Sequence, residues 1–156
     1  MLTSFRVLTA ATLLVSAAPQ SADDPVLSTY IHAHAQGEHG EEFAAARKSV
    51  SGDLDGDGQP ETVVLYTLES QEGSNDYSQY LAVFSRTSGS LRAITRARVG
   101  GKSQRSVSLT SVDHLAIQLD TLDYAPADAS CCPSLKGTTT FVLAGGELRE
   151  NRPRAR

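Results

Sequence analysis

Basic residues are not in excess in this chain, and no apolar run is long enough to cross a bilayer. Fourteen Lys and Arg stand against 18 Asp and Glu, so the formal net charge is −4. Proteins that bind nucleic acid through its phosphates concentrate cationic residues over a whole face, so this balance argues against a nucleic-acid partner. A membrane-spanning helix needs about 20 apolar residues in succession, which no segment provides. With 40% hydrophobic residues, the 156-residue chain is too apolar to be disordered and predicts one folded domain.

Residues 1–22 have the features of a signal peptide. Arg6 supplies a positive n-region, and residues 7–18 (VLTAATLLVSAA) form an uncharged run that ends in small side chains. Cleavage is expected after Ala17, Ala18 or Ala22. Because no cysteine stands directly after any of these positions, a lipid anchor is not expected. The leader predicts a periplasmic or secreted protein in an oxidising compartment.

Residues 23–42 predict a short helix and a linker, followed by a β-rich domain over residues 43–156. Asp24 and Pro25 suit the N-cap and the first helical position, and Gly37 is the expected end of the helix. Short runs rich in Val, Leu, Thr and Tyr then alternate with Gly, Asn, Asp or Ser, the pattern of successive strands. The expected strands are 44–51, 62–69, 80–86, 91–99, 106–110, 115–122, 138–143 and 147–151.

Most of these strands are joined by segments too short to contain the crossover helix of a parallel pair, so neighbouring strands should be antiparallel. The predicted fold is mainly β, an antiparallel meander or small sandwich with a short N-terminal helix. The two longer connections, 70–79 and 123–137, are expected to display partner-recognition residues on a rigid sheet. The candidate residues in them are Asn75, Asp76, Tyr77, Tyr124, Asp128 and Ser134.

The strongest motif is the acidic run over residues 53–61, DLDGDGQPE. Ca²⁺ takes about six to eight oxygen ligands, and acids at alternate positions of a tight loop converge on one point. Gly58 at the sixth position permits the sharp turn that brings the next carbonyl into the ligand ring. The predicted ligands are Asp53, Asp55, Asp57 and Glu61, with the backbone carbonyl of Gln59. A polar Asp-Gly turn without metal is the alternative.

An EF-hand does not fit this motif. An EF-hand loop has a bidentate Glu at position twelve and links two helices, whereas this loop has Val64 there, Pro60 at position eight and strand-like flanks. Extracellular calcium modules bind with a Kd of roughly 0.1–1 mM. At about 1 mM calcium and a Kd near 0.1 mM, binding stabilises a fold by about 1.4 kcal/mol. The ion is therefore expected to be structural, and calcium is also a poor generator of hydroxide compared with zinc.

Cys131 and Cys132 are adjacent, in the sequence CCPS. Adjacent Cα atoms lie about 3.8 Å apart, closer than in ordinary disulfides, so a bond between these residues would close an eight-membered ring. An oxidising compartment and the lack of a third cysteine favour this vicinal disulfide. Two free thiols or an intermolecular bridge are the alternatives. The ring would stiffen the long loop, in which Pro126 and Pro133 already restrict the backbone.

The sequence contains no recognisable set of nucleophile and base, and no G-x-S-x-G or H-E-x-x-H motif. His32 and His34 with His39 have unconvincing spacing for a metal site, because residues two apart on a helix point about 200° from each other. A solvated N-terminal segment is the preferred interpretation of these histidines. A hydrolase would have to use Glu61, Asp76, His114 or Asp123 as acid or base.

The acidic loop resembles the calcium hairpin of FG-GAP and VCBS-type repeats, D-x-D-x-D-G-x-x-[DE] between two strands. The matching residues are Asp53, Asp55, Asp57, Gly58 and Glu61, where Glu61 replaces the Asp usual in that family. With the leader, the hairpin and the CCPS loop, most of the mature chain resembles a group of uncharacterised exported proteobacterial proteins. More distantly, it resembles periplasmic immunity proteins that block peptidoglycan hydrolases, whose fold is similar to that of periplasmic lysozyme inhibitors.

The last resemblance implies a non-enzymatic inhibitor that inserts a loop into a hydrolase cleft. Three functions follow from the sequence as hypotheses. The preferred one is an exported calcium-binding module that binds or inhibits a partner, such as a peptidoglycan hydrolase. The others are a calcium-stabilised structural or envelope-associated protein and, least favoured, a hydrolase.

Overall fold

The computed structural model describes residues 24–70 and 75–151. The expected leader, with its cleavage sites, lies outside the described residues. The described chain begins with the helix α1 (Pro25–Gly37) and contains a short 3₁₀ turn (Ala44–Ala46). The strands are β1 (Gly40–Glu42), β2 (Lys48–Gly52), β3 (Glu61–Ser70), β4 (Tyr77–Thr87), β5 (Ser90–Gly101), β6 (Arg105–Asp113), β7 (Ala116–Asp123), β8 (Leu135–Ala144) and β9 (Glu147–Asn151).

The helix α1 forms between the residues that predict it. The Asp24 side chain accepts a hydrogen bond from the Val26 backbone N–H at 2.9 Å, and Pro25 is the first helical residue. The helix ends at Gly37, as expected. None of the helices in the described ranges is long and apolar enough to cross a membrane.

The strands form one antiparallel sheet in which, from β3 to β9, each strand pairs with the next in the chain. Strands β1 and β2 both pair with β3, at its two ends. This confirms the predicted mainly β antiparallel meander. Several boundaries differ from the expected ones. Strands β4, β6 and β8 each extend three residues further at one end, so that Tyr77 lies in β4 and not in the connection. Ala44–Ala46, expected to begin a strand, form the 3₁₀ turn, and alanine is depleted in strands.

The sheet folds over between β5 and β6, where only Gly101 and Arg105 pair. The two halves then face each other around a common apolar core, which is the sandwich arrangement. Its fully buried members are Leu54, Val63, Leu65, Leu81, Val83 and Val99 from the first half, and Val107, Leu109, Ile117, Leu119 and Phe141 from the second.

Where the sheet folds over, hydrogen bonds from a side-chain amide take the place of the missing backbone pairing. Gln79 of β4 is buried; its Nε2 donates to the Val107 carbonyl at 3.0 Å, and its Oε1 accepts from the Val107 N–H at 2.8 Å. The side chain passes over Gly100, where an added Cβ would lie 2.9 Å from Oε1 and 2.8 Å from the Arg105 carbonyl. Gly100 is therefore required by the close approach of β4 and β6.

The outer face of the first half is covered by α1. Leu27, Ile31 and Ala35 pack against alternate residues of β3 and β4, so these two strands are buried on both faces. His34 is also buried, and its Nδ1 lies 2.8 Å from the Tyr66 hydroxyl. The expectation of a solvated segment is wrong for His34, because this side chain is buried against the sheet. The burial lowers the pKa of His34 and favours the neutral ring. His32 is exposed.

Candidate functional site

The acidic loop is the turn of a β-hairpin. Strands β2 and β3 pair in antiparallel register from Lys48 opposite Leu65 to Gly52 opposite Glu61. The loop over residues 53–60 therefore joins two strands, as predicted, and Glu61 is already the first residue of β3. Gly52 lies close to the facing sheet, since an added Cβ there would be 2.5 Å from a methyl carbon of Val112 in β6.

Aspartate side chains organise the loop backbone. Asp53 accepts hydrogen bonds from the N–H groups of Gly56 at 2.7 Å and Gly58 at 3.0 Å. Asp55 accepts from the Asp57 N–H at 3.1 Å. Gly56 and Gly58 adopt φ angles of +81° and +83°, which L side chains rarely adopt. The role predicted for Gly58, a sharp turn, is confirmed.

Leu54 and Glu61 attach the acidic loop to the protein interior. Leu54 is only 2% exposed and belongs to the core between the two halves of the sheet. Its N–H donates to Oε2 of Glu61 at 2.8 Å, and Glu61 itself is 3% exposed. Burial, together with the nearby charges of Asp55, Asp57 and Asp53, raises the pKa of the Glu61 carboxyl. The ionised form of Glu61 is therefore disfavoured in the absence of a nearby positive charge.

The structure brings together three of the five predicted ligands. Asp53, Asp55 and Glu61 each offer a carboxylate oxygen within 4.8 Å of the others. Two oxygens bound to one Ca²⁺ at about 2.3–2.6 Å lie at most about 5 Å apart, so this spacing fits calcium. The donors are all oxygens, which hard cations prefer. Asp57 lies outside this group, and its Oδ1 accepts from the Gln59 N–H at 2.6 Å. The ligand roles of all five residues stay predictions.

The loop between β7 and β8 contains the vicinal disulfide. Cys131 and Cys132 are bonded to each other, so the predicted ring is present. The Cys132 N–H also donates to the Ala129 carbonyl at 2.9 Å, and the Tyr124 hydroxyl donates to the Ser130 carbonyl at 2.7 Å. The chain around the ring is thus held by its own hydrogen bonds.

Asp128 is the centre of these hydrogen bonds. Its carboxylate accepts from the Ala125 N–H at 2.7 Å, the Ser134 N–H at 2.9 Å and the Ser134 hydroxyl at 2.9 Å. These bonds lower the pKa of the Asp128 carboxyl, with the Ala125 bond the largest cause. Of the predicted recognition residues, Asp128 and Ser134 therefore organise the loop itself.

The described residues of the two long connections lie at one end of the sandwich. The register runs across the sheet from Glu69 opposite Tyr77, through Gly101 opposite Arg105, to Asp123 opposite Leu135. The connection between β3 and β4 ends in Asn75 and Asp76, where Asp76 forms an ion pair with Lys102 at 3.0 Å and the Tyr77 carbonyl accepts from the Lys102 N–H. The acidic hairpin lies at the opposite end, beside the turn between β6 and β7.

The four candidate acid–base residues do not form one group. Glu61 is beneath the hairpin, and His114, exposed in the turn between β6 and β7, lies 2.8 Å from Asp113. Asp76 and Asp123 are at the other end of the strands, paired with Lys102 and Thr121 respectively. The residues predicted for a hydrolase are thus divided between two ends of the molecule.

Two residues of structural importance escaped the sequence analysis. Leu54 is the only large apolar residue in the acidic loop, which is the signal that could have identified it as an anchor. Gln79 carries no such signal, because its partner Val107 is 28 residues away.

No protein-family model matches the chain, and neither curated proteins nor solved structures yield a match. The resemblances stated from the sequence remain expectations.

Proposed function

We propose that this protein is an exported, non-enzymatic calcium-binding β-domain that binds or inhibits a partner, such as a peptidoglycan hydrolase. The observation that carries the proposal is the group of three carboxylates, from Asp53, Asp55 and Glu61, at the turn of the β2–β3 hairpin. Calcium bound there would neutralise mutually repelling charges and hold the two strands and Leu54 in place.

The opposite end of the molecule supports a binding role. The described ends of the β3–β4 connection and the whole β7–β8 loop lie there, and the β7–β8 loop is held by the disulfide and by Asp128. A loop that is already ordered loses less conformational entropy when it binds a partner. The disulfide also supports export, since such bonds persist in oxidising compartments.

The calcium arm of the proposal is tested by titration calorimetry on metal-stripped protein. We expect binding with a Kd of roughly 0.1–1 mM. The double variant Asp55→Ala/Asp57→Ala should lose the binding heat, while Asp120→Asn, an exposed acid on the other half of the sheet, should retain it. Absence of heat up to several millimolar calcium in the parent protein would overturn the metal assignment.

The partner arm is tested by capture from a periplasmic extract on immobilised mature protein. We expect a cell-wall hydrolase to be retained and its activity on peptidoglycan to fall when the protein is added. Tyr124→Ala, in the disulfide loop, should weaken both effects, whereas His114→Ala, at the hairpin end, should not. Turnover of peptidoglycan by this protein alone would contradict a non-enzymatic role.

A further inference from the structure

The inner face of the second half of the sheet changes from apolar to polar along its length. At the hairpin end it presents Leu109, Ile117, Leu119 and Phe141, all buried. Toward the disulfide loop, the same alternation of side chains brings polar residues to this face: Arg105, Thr121, Asp123, Thr139 and Glu150. Core-facing positions of a sandwich are normally apolar, so buried polar residues there call for a specific reason.

These residues line an open cavity of about 580 Å³. Its other lining residues include Arg98 and Val99 of β5 and Gln104 of the β5–β6 turn, so the cavity lies at the seam where the sheet folds over. The volume is in the range of ligand sites, about 300–1,000 Å³. The cavity is at the end of the sandwich opposite the acidic hairpin.

Part of the lining is already satisfied within the protein. Arg105 donates from Nη1 to Glu150 Oε1 at 2.7 Å and from Nε to the Val99 carbonyl at 2.7 Å. Thr139 donates to the same Glu150 oxygen at 2.9 Å. The Arg105 and Glu150 side chains are about 15% exposed. This hydrogen-bonded, largely covered pair forms one side of the cavity.

Other lining groups keep free bonding capacity. Within the described residues, Arg98 makes one long hydrogen bond, from Nε to the Gly100 carbonyl at 3.5 Å, and pairs with no carboxylate. Asp123 accepts from the Thr121 hydroxyl at 2.9 Å and pairs with no cation. Arg98 and Asp123 thus both belong to the lining of this cavity, and neither has an ionic partner in the described chain.

We propose that this cavity binds a small zwitterion, an α-amino acid or a short peptide, with its carboxylate on Arg98 and its ammonium on Asp123. Arg–carboxylate pairs are geometrically specific and charge-assisted, and the ammonium group of the ligand would complement the negative charge of Asp123. The charged residues among the described lining are two arginines and two acids, a balance that disfavours a polyanion or a polycation. None of the described lining residues is aromatic, so a sugar ring would have no stacking surface there.

The probe is the dipeptide Ala-Ala, titrated into the full mature protein with calorimetry and amide NMR shifts. We expect saturable binding, with shifts at Arg98, Gln104 and Asp123. N-acetyl-Ala-Ala lacks the ammonium and Ala-Ala-amide lacks the carboxylate, so each should bind at least about tenfold more weakly. Free alanine, titrated in parallel, distinguishes an amino-acid site from a peptide site.

Two variants locate the site. Arg98→Gln and Asp123→Asn should each weaken Ala-Ala binding by about tenfold or more while leaving the melting temperature nearly unchanged. Arg92→Gln, an exposed change on the same strand outside the cavity, is the matched control. The affinity should be the same with calcium or chelator, which separates this proposal from the calcium site. Three outcomes would overturn the proposed binding site. They are no binding of Ala-Ala up to roughly 20 mM, equal affinity for the blocked dipeptides, and unchanged Ala-Ala affinity in both variants.

Discussion

The two loops that carry the distinctive sequence motifs, at opposite ends of the sandwich, are both organised by carboxylates that accept backbone hydrogen bonds. In the acidic hairpin, four acids crowd around one turn, and the pKa of Glu61 is raised. In the disulfide loop, a single acid, Asp128, receives several donors, and its pKa is lowered. The two shifts have different causes: burial first and then neighbouring acids raise the Glu61 pKa, whereas backbone and side-chain donors lower that of Asp128.

The loops also differ in how they meet the core. The hairpin contributes Leu54 to the apolar interior, whereas no residue in 124–134 is buried. The disulfide loop depends on local bonds alone. We therefore expect changes in the hairpin to alter global stability and changes in the disulfide loop to alter local order.

The largest effect is expected for Leu54→Ala. Removing this buried side chain should cost about 2–4 kcal/mol of unfolding free energy, because it leaves a cavity in the core. Denaturant unfolding in calcium and in chelator measures the loss, which should appear in both. Leu135→Ala, at a side chain half exposed beside the disulfide loop, is the control and should change stability by less than about 0.5 kcal/mol. If both variants lost a similarly small unfolding free energy, the hairpin would contribute no more to global stability than the disulfide loop.

The second effect is expected for Glu61→Gln. The amide oxygen can still accept from the Leu54 N–H, but the buried charge and its repulsion from three aspartates are gone. In chelator the melting temperature should therefore rise above that of the parent protein. In calcium the variant should lose most of the stabilisation of about 1.4 kcal/mol expected from binding.

Glu69→Gln, an exposed change near the other end of β3, is the matched control and should leave the calcium response intact. An undiminished calcium response in Glu61→Gln would show that Glu61 is not a ligand.

The smallest effect on global stability is expected for Asp128→Asn. The ionised carboxylate is favoured in the folded loop because its pKa is lowered, so its contribution is present above about pH 4 and is lost as the pH falls through the lowered value. The NMR amide shifts of Ala125 and Ser134 should follow this transition in the parent protein. In the variant, the same shifts should be independent of pH while the melting temperature changes little. Asp113→Asn, in an exposed turn at the opposite end, should leave the transition unaltered.

Much of the fold was predictable because its signals are local. The N-cap and Pro25 predict the helix, and alternating apolar residues between turns predict all the long strands. The spacing of Asp53, Asp55 and Glu61 predicts that these acids meet at a hairpin. Each of these signals is contained within a few neighbouring residues.

The features that escaped prediction depend on distant partners. Strand β1 has only three residues and forms by pairing with the end of β3. His34 is buried because Tyr66 and Tyr80 lie beneath the helix. The polar cavity requires two strands that meet only at Gly101 and Arg105. No local pattern specifies these contacts.

Because β5 and β6 share a single backbone pair, side-chain hydrogen bonds from Gln79 and Arg105 help to join the two half-sheets. Gln79 does not line the cavity, but its two hydrogen bonds to Val107 join β4 to β6 beside it. The separation of the two half-sheets next to the cavity therefore depends on a side chain from a neighbouring strand.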